Sequence, residues 1–152
     1  MSYDVVEEMA VAEHMAAVRR EVAPGRVGQA WRPALDIVWS FLRARPQIAR
    51  GHNLFLYHHP LCRGAAMTVE FGVQVAETFE PEGDILCVEV PPGRVARTVH
   101  IGPYERLGAA HDAIRAWCAA NGRAIGSASW EIYGDWDADP ARLETTIKYL
   151  LG

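Results

Sequence analysis

Hydrophobic and polar positions follow two rhythms along this chain, and together they spell strand, helix, strand, strand, twice over. From Val27 to Ala44 the apolar residues Trp31, Leu35, Val38 and Leu42 recur at helical spacing, which predicts a helix with one buried face. Pro46 stops it. Asn53 to His59 and Met67 to Ala76 read as strands; in the second, Val69, Phe71, Val73 and Val75 alternate with Glu70, Gly72 and Gln74. Ahead of the helix, the Val- and Met-rich residues 3–22 suit one or two strands, with a break near Ala12 to Met15. Pro24-Gly25 and Pro81-Glu82-Gly83 are turns.

The second half repeats the scheme. Asp84 to Val90 and Gly93 to Ile101 read as strands joined by Pro91-Pro92-Gly93. Gly102-Pro103 turns the chain into a helix from Pro103 to Asn121, whose buried stripe is Leu107, Ala110, Ile114 and Trp117, with Gly122 as its C-terminal cap. Ser129 to Trp136 and Leu143 to Leu151 are the closing strands. A shift of 76 lays Val27 on Pro103, Phe41 on Trp117 and Tyr57 on Tyr133, and a shift of 77 lays Gly25 on Gly102. The pattern therefore predicts an α+β domain built from two β-α-β-β units, about 13–76 and 93–151, forming antiparallel sheet with two main helices. One such unit cannot bury its own sheet face, so the copies pack about a pseudo-twofold axis, and a ligand cleft is expected at their junction.

Composition narrows the function. The 152 residues hold one well-packed core, so residues 1–152 are read as a single domain. A net charge of −4 and a pI near 5.8, with arginines scattered rather than clustered, speak against direct nucleic-acid binding. Three cysteines without CxxC spacing point to a reducing compartment, and there is neither a signal-peptide pattern nor an apolar run long enough to span a membrane. A cytoplasmic protein is expected.

Candidate chemistry concentrates in Ser129 to Trp136. On a strand Glu131 and Tyr133 share one face while Trp130 and Ile132 share the other. The repeat sets Glu131 opposite Phe55, so a carboxylate and an aromatic ring occupy equivalent positions beside the axis. A Glu on an aromatic-rich strand is costly unless it is paired or used; an exposed Glu131, or one paired with Arg97 or Lys148, stays open from the strand pattern alone. Tyr57, Tyr104, Tyr133 and Tyr149 all fall on or beside elements that can face the junction. Tyrosine rings can sandwich a flat ligand, and a carboxylate among aromatic faces suits a cation. His58, His59 and Cys62 do not make a metal site, because neighbouring strand residues point to opposite faces and no second cluster supplies the remaining ligands. His100 is placed to cap the Gly102-Pro103 turn. No phosphate-cradling glycine motif, nucleophile elbow or Cys–His pairing is present, and no cofactor or metal is expected.

The run PPGRVARTVHIGPYERL, then Trp117, then WEIY, then TTIKYLL resembles the GyrI-like small-molecule-binding domain, most clearly over residues 90–150. This domain also forms the effector-binding part of AraC- and MerR-type multidrug-responsive regulators and has a duplicated, SOUL-like (SHS2) fold. The resemblance implies that Glu131, the acidic residue of the WExY motif, lies at the floor of an aromatic pocket and meets lipophilic cations. It maps pocket tyrosines onto Tyr57, Tyr104 and Tyr149, with Tyr133 matching the motif. His111 departs from the family, where an aromatic residue is common, and so does Tyr-Leu-Leu in the last strand, where a proline is frequent. With the domain filling the chain, a stand-alone form is expected, sensing or sequestering a drug or toxin. Two alternatives come with the resemblance: a hydrolase opening strained cyclopropane rings with Glu131 and Tyr104, and a protein-contact module that inhibits DNA gyrase.

Overall fold

The computed structural model describes residues 2–152. Its elements are β1 (Val6–Ala10), β2 (Glu13–Val22), α1 (Val27–Arg43), β3 (Arg50–His58), β4 (Met67–Val75), β5 (Ile85–Val90), β6 (Gly93–Ile101), α2 (Leu107–Ala120), β7 (Ile125–Tyr133) and β8 (Glu144–Leu151). All eight strands form one antiparallel sheet in the order β1-β6-β8-β7-β3-β4-β2-β5. The fold is α+β, as the alternation of patterns implies.

That order reads the same from either end when β2, β3, β4 and β5 are exchanged for β6, β7, β8 and β1. The centre of the arrangement is the β3–β7 pairing, where Phe55 is the register partner of Glu131. These two residues are also 76 apart, the offset that relates the halves, so the pseudo-twofold axis passes between them.

Two short links bend the sheet. Val11-Ala12 joins β1 to β2, and Pro91-Pro92 joins β5 to β6. In a flat sheet β1 and β2 would lie roughly 29 Å apart across six strand spacings, whereas two residues bridge at most about 11 Å. The sheet therefore curls until its edges approach, and the inner face closes on Met15, Leu54, Leu56, Val95 and Trp130. This explains why Met15 to Val18 are buried without a break: β2 has protein on both faces. Gly72 permits the tight β2–β4 approach, since a Cβ there would stand 2.5 Å from the Ala16 carbonyl oxygen.

The outer face carries the helices. Helix α1 packs Ala34, Leu35, Val38, Phe41 and Leu42 onto β2 and β4, and α2 packs Leu107, Ala110, Ile114 and Cys118 onto β6 and β8. A 3-10 turn at Tyr104–Arg106 leads into α2, and Gly122 at φ 63° ends it, the Arg123 N–H donating to the Cys118 carbonyl at 2.8 Å. Each helix serves its own half, so β3 and β7 run along the seam between them.

Several local expectations shift. Residues 3–22 break at Val11-Ala12, slightly earlier than expected. Trp31 and Trp117 are half-buried rather than core residues; Cys118 takes the inner position on α2. Strand β7 begins at Ile125 and ends at Tyr133, so Trp136 lies beyond it and is 77% exposed.

Candidate ligand-binding cleft

The seam strands put three side chains of β7 on the helix-bearing face: Ser129, Glu131 and Tyr133. Their register partners are Tyr57 and Phe55 on β3 and Tyr149, Ile147 and Thr145 on β8. Because partners across an antiparallel ladder point to the same side, this pairing alone gathers aromatic rings around one carboxylate.

Glu131 is only 5% exposed, and both its oxygens are engaged. Oε1 accepts hydrogen bonds from the Tyr57 hydroxyl at 2.6 Å and the Tyr133 hydroxyl at 2.5 Å. Oε2 accepts from His111 Nε2 at 2.7 Å, and the other ring nitrogen of His111 lies 2.7 Å from the Tyr149 hydroxyl. Burial pushes the Glu131 carboxyl up, but the hydrogen bond and charge of His111, with the hydroxyls of Tyr133 and Tyr57, outweigh it and hold the pKa below the ordinary carboxylate value. The carboxylate is therefore ionised at neutral pH. Tyr57 and Tyr133 move the other way: burial first, then the Glu131 charge, raise both well above the ordinary phenol value, so both stay protonated donors.

Space opens on either side of the Tyr57–Glu131 contact. On one side is an aromatic lobe of about 330 Å³ walled by Trp31, Leu35, Phe55, Tyr104, Leu107 and Tyr133. Its rings touch in series: Trp31 to Phe55 at 6.2 Å, Phe55 to Tyr133 at 4.8 Å, and Tyr133 to Tyr104 at 5.4 Å, the last two edge to face. Tyr104, 40% exposed, stands at the rim. On the other side is a polar lobe of about 650 Å³ bounded by His59, His111, Asp112, Arg115, Ser129 and Tyr149. Val27, Tyr57 and Glu131 line both, so the two lobes of the cleft adjoin at these residues.

All six residues singled out as candidates, Phe55, Tyr57, Tyr104, Glu131, Tyr133 and Tyr149, face this cleft or line its floor. The alternative pairing of Glu131 with Arg97 or Lys148 is excluded: Lys148 is the register partner of Trp130 on the opposite face, and both cations bond to Glu8. His111 supplies the partner that a Glu on an aromatic-rich strand needs. His111 was legible only as a residue standing where an aromatic is common. Trp31, read as core, and Asp112 and Arg115, one and four residues beyond His111 on α2, were missed; the signal was their position on the seam-facing side of their helices.

Three other histidines have partners of their own. His58 bonds to Glu70, which Arg19 also meets at 2.9 Å, leaving that buried carboxylate satisfied. His59 turns to the cleft face, its Nδ1 donating to the Gly126 carbonyl at 3.0 Å and its Nε2 2.9 Å from Ser129 Oγ. His100 Nε2 bonds to the Pro103 carbonyl at 3.0 Å, capping the turn into α2. Among the described residues no group of His, Cys, Asp and Glu could hold a metal ion, and no helix is long and apolar enough to cross a membrane.

Comparison with known proteins agrees with this architecture. The family profile described as the GyrI-like small molecule binding domain matches residues 3–149. Among solved structures, the C-terminal domain of EcmrR is 23% identical, with a TM-score of 0.84 over 100% of this chain and 99% of that one. A hydrolase encoded by lin2189 from Listeria innocua is 10% identical at a TM-score of 0.66, over 99% of this chain and 93% of that one. SAV2435, solved bound to tetraphenylphosphonium, is 13% identical at a TM-score of 0.64, over 100% and 94%. At these identities the likenesses establish the fold. A search of curated proteins finds no match.

Proposed function

The chain belongs to the GyrI-like small-molecule-binding domain family, and from that premise we propose that its cleft binds a flat or aryl-rich hydrophobic cation, a drug- or toxin-like molecule, with Glu131 as counter-ion. The observation that carries this reading is an ionised carboxylate, almost fully buried, at the floor of a lobe whose other walls are mostly aromatic and aliphatic. Ring faces attract a cation and the carboxylate supplies the opposite charge, while Tyr57 and Tyr133 hold it in place without neutralising it. SAV2435, which shares the fold, was solved with a cation of this chemistry, tetraphenylphosphonium.

The same carboxylate could serve as a general base, which is the hydrolase alternative. Two observations favour binding. The carboxyl is held below its ordinary pKa, the wrong direction for a base working near neutral pH. Tyr104 stands at the rim with its ring edge-on to Tyr133, and Glu131's hydroxyl partners are Tyr57 and Tyr133, so the pairing of Glu131 with Tyr104 is not assembled. Nothing in the cleft speaks for a gyrase-contact role.

Titration with tetraphenylphosphonium, followed through tryptophan fluorescence, is expected to saturate at one equivalent with micromolar affinity, about −8 kcal/mol at the 1 M standard state. The neutral triphenylphosphine oxide should bind at least about tenfold more weakly, the effect of losing roughly 1.4 kcal/mol of charge pairing. Equal affinities for the two would remove the counter-ion role.

A further inference from the structure

The polar lobe is nearly twice the size of the aromatic lobe, and nothing in the binding of a simple aryl cation uses it. Its hydrogen-bonding protons are largely committed. His59 has its Nδ1 proton on the Gly126 carbonyl, and burial pushes this imidazole's pKa down, so it is neutral and its Nε2 accepts the Ser129 hydroxyl. The Tyr149 hydroxyl is likewise engaged with His111. What remains is Arg115. Its guanidinium lies 5.7 Å from the Tyr149 ring centroid, over the floor of the lobe, and its one ion-pair partner among the described residues is the exposed Asp112, met at 3.2 Å through Nη1. A guanidinium has five N–H donors, so most are free, and an exposed i,i+3 pair is worth little.

We infer that the polar lobe is a second subsite, in which Arg115 takes a carboxylate carried by the ligand, so that the preferred ligands are aromatic cations bearing an acidic group. The inference rests on the reading of Glu131 as counter-ion, and adds to it the charge at the ligand's other end. The two poles of the cleft sit on opposite sides of the His111–Tyr149 pair, Glu131 bonded to His111 and Arg115 over Tyr149. An extended ligand laid across Tyr57 would meet a negative wall first and a positive one second. Two charges oppose the acidic group. Asp112 competes for Arg115 but is exposed to water, and Glu131 faces the lobe with its charge already shared among His111, Tyr57 and Tyr133. Gly25 and Gly108 edge the lobe, and a side chain at either would project into open space, so nothing there obstructs the pendant group.

Rhodamine 110 and its methyl ester rhodamine 123 share one xanthylium cation and differ in a free against an esterified carboxyl, which makes them the probes. Fluorescence anisotropy should show the wild-type protein binding rhodamine 110 about tenfold more tightly, the usual scale of a hydrogen bond to a charged group. In Arg115→Gln the ratio between the two dyes should fall to about one. Rhodamine 123 binding as tightly as rhodamine 110, or an unchanged ratio in Arg115→Gln, would overturn the subsite and leave the counter-ion reading standing. Binding of neither dye would overturn both.

Discussion

Replacing Glu131 by Gln is expected to weaken tetraphenylphosphonium by about 2–3 kcal/mol, roughly 30- to 150-fold, the scale of truncating one partner of a buried charge pair. Gln keeps the shape and one acceptor oxygen, so the aromatic walls should hold and triphenylphosphine oxide should lose less than about threefold. The contrast between the ligands matters more than either loss. A general collapse of the cleft would weaken both alike; removal of a counter-ion strikes the cation alone. Fold stability should also fall modestly, because three donors, from Tyr57, Tyr133 and His111, would face an amide instead of a carboxylate. The folded pKa of Glu131 lies below its ordinary value. Its ionisation therefore contributes stability that is fully present above that ordinary value and is lost as pH falls through the folded one. Acid unfolding of Glu131→Gln should accordingly be shallower.

His111→Phe should move the acid loss of cation affinity to higher pH. In the wild type, His111 Nε2 meets Glu131 Oε2 at 2.7 Å and helps hold the carboxyl below its ordinary pKa against the opposing effect of burial. Phe restores an aromatic side chain there but donates nothing, so only the Tyr57 and Tyr133 hydroxyls remain against burial and the carboxyl should titrate higher. The cation needs the ionised form. Affinity therefore falls as pH drops through the Glu131 pKa, by at most about tenfold per pH unit with one linked proton. Tetraphenylphosphonium titrations across the acid range should show that fall beginning at higher pH in the variant than in the wild type. Coincident profiles would show that His111 does not hold the carboxylate ionised.

Much of this arrangement was legible in the letters, for physical reasons. Helical stripes are read from apolar spacing alone, which is why Leu35, Val38, Leu42, Leu107, Ala110 and Ile114 fall in the core as expected. Strand alternation placed Glu131 and Tyr133 on one face, and the 76-residue offset set Glu131 against Phe55 before any register was known. What stayed hidden depends on contacts between distant segments. The curl of the sheet follows from which strands lie at its edges, a matter of topology. His111, one turn after Leu107 on α2, has the spacing of any helix surface residue; only the seam supplies its partners on β7 and β8. Lys148 was a plausible partner for Glu131 until the β7–β8 register set it beside Trp130. The start of β7 was missed because Gly126 and Ser127 carry no strand signal, although the ladder still reaches Ile125.

A structure of the complex with tetraphenylphosphonium tests the central claim most directly. The phosphonium should lie in the aromatic lobe, within about 6 Å of the Phe55 and Tyr133 ring centroids, the reach of a cation–π contact, with the Glu131 carboxylate as its nearest anion. A ligand seated instead in the groove between Phe41 and Phe79, or in the cleft but turned away from Glu131, would contradict the account.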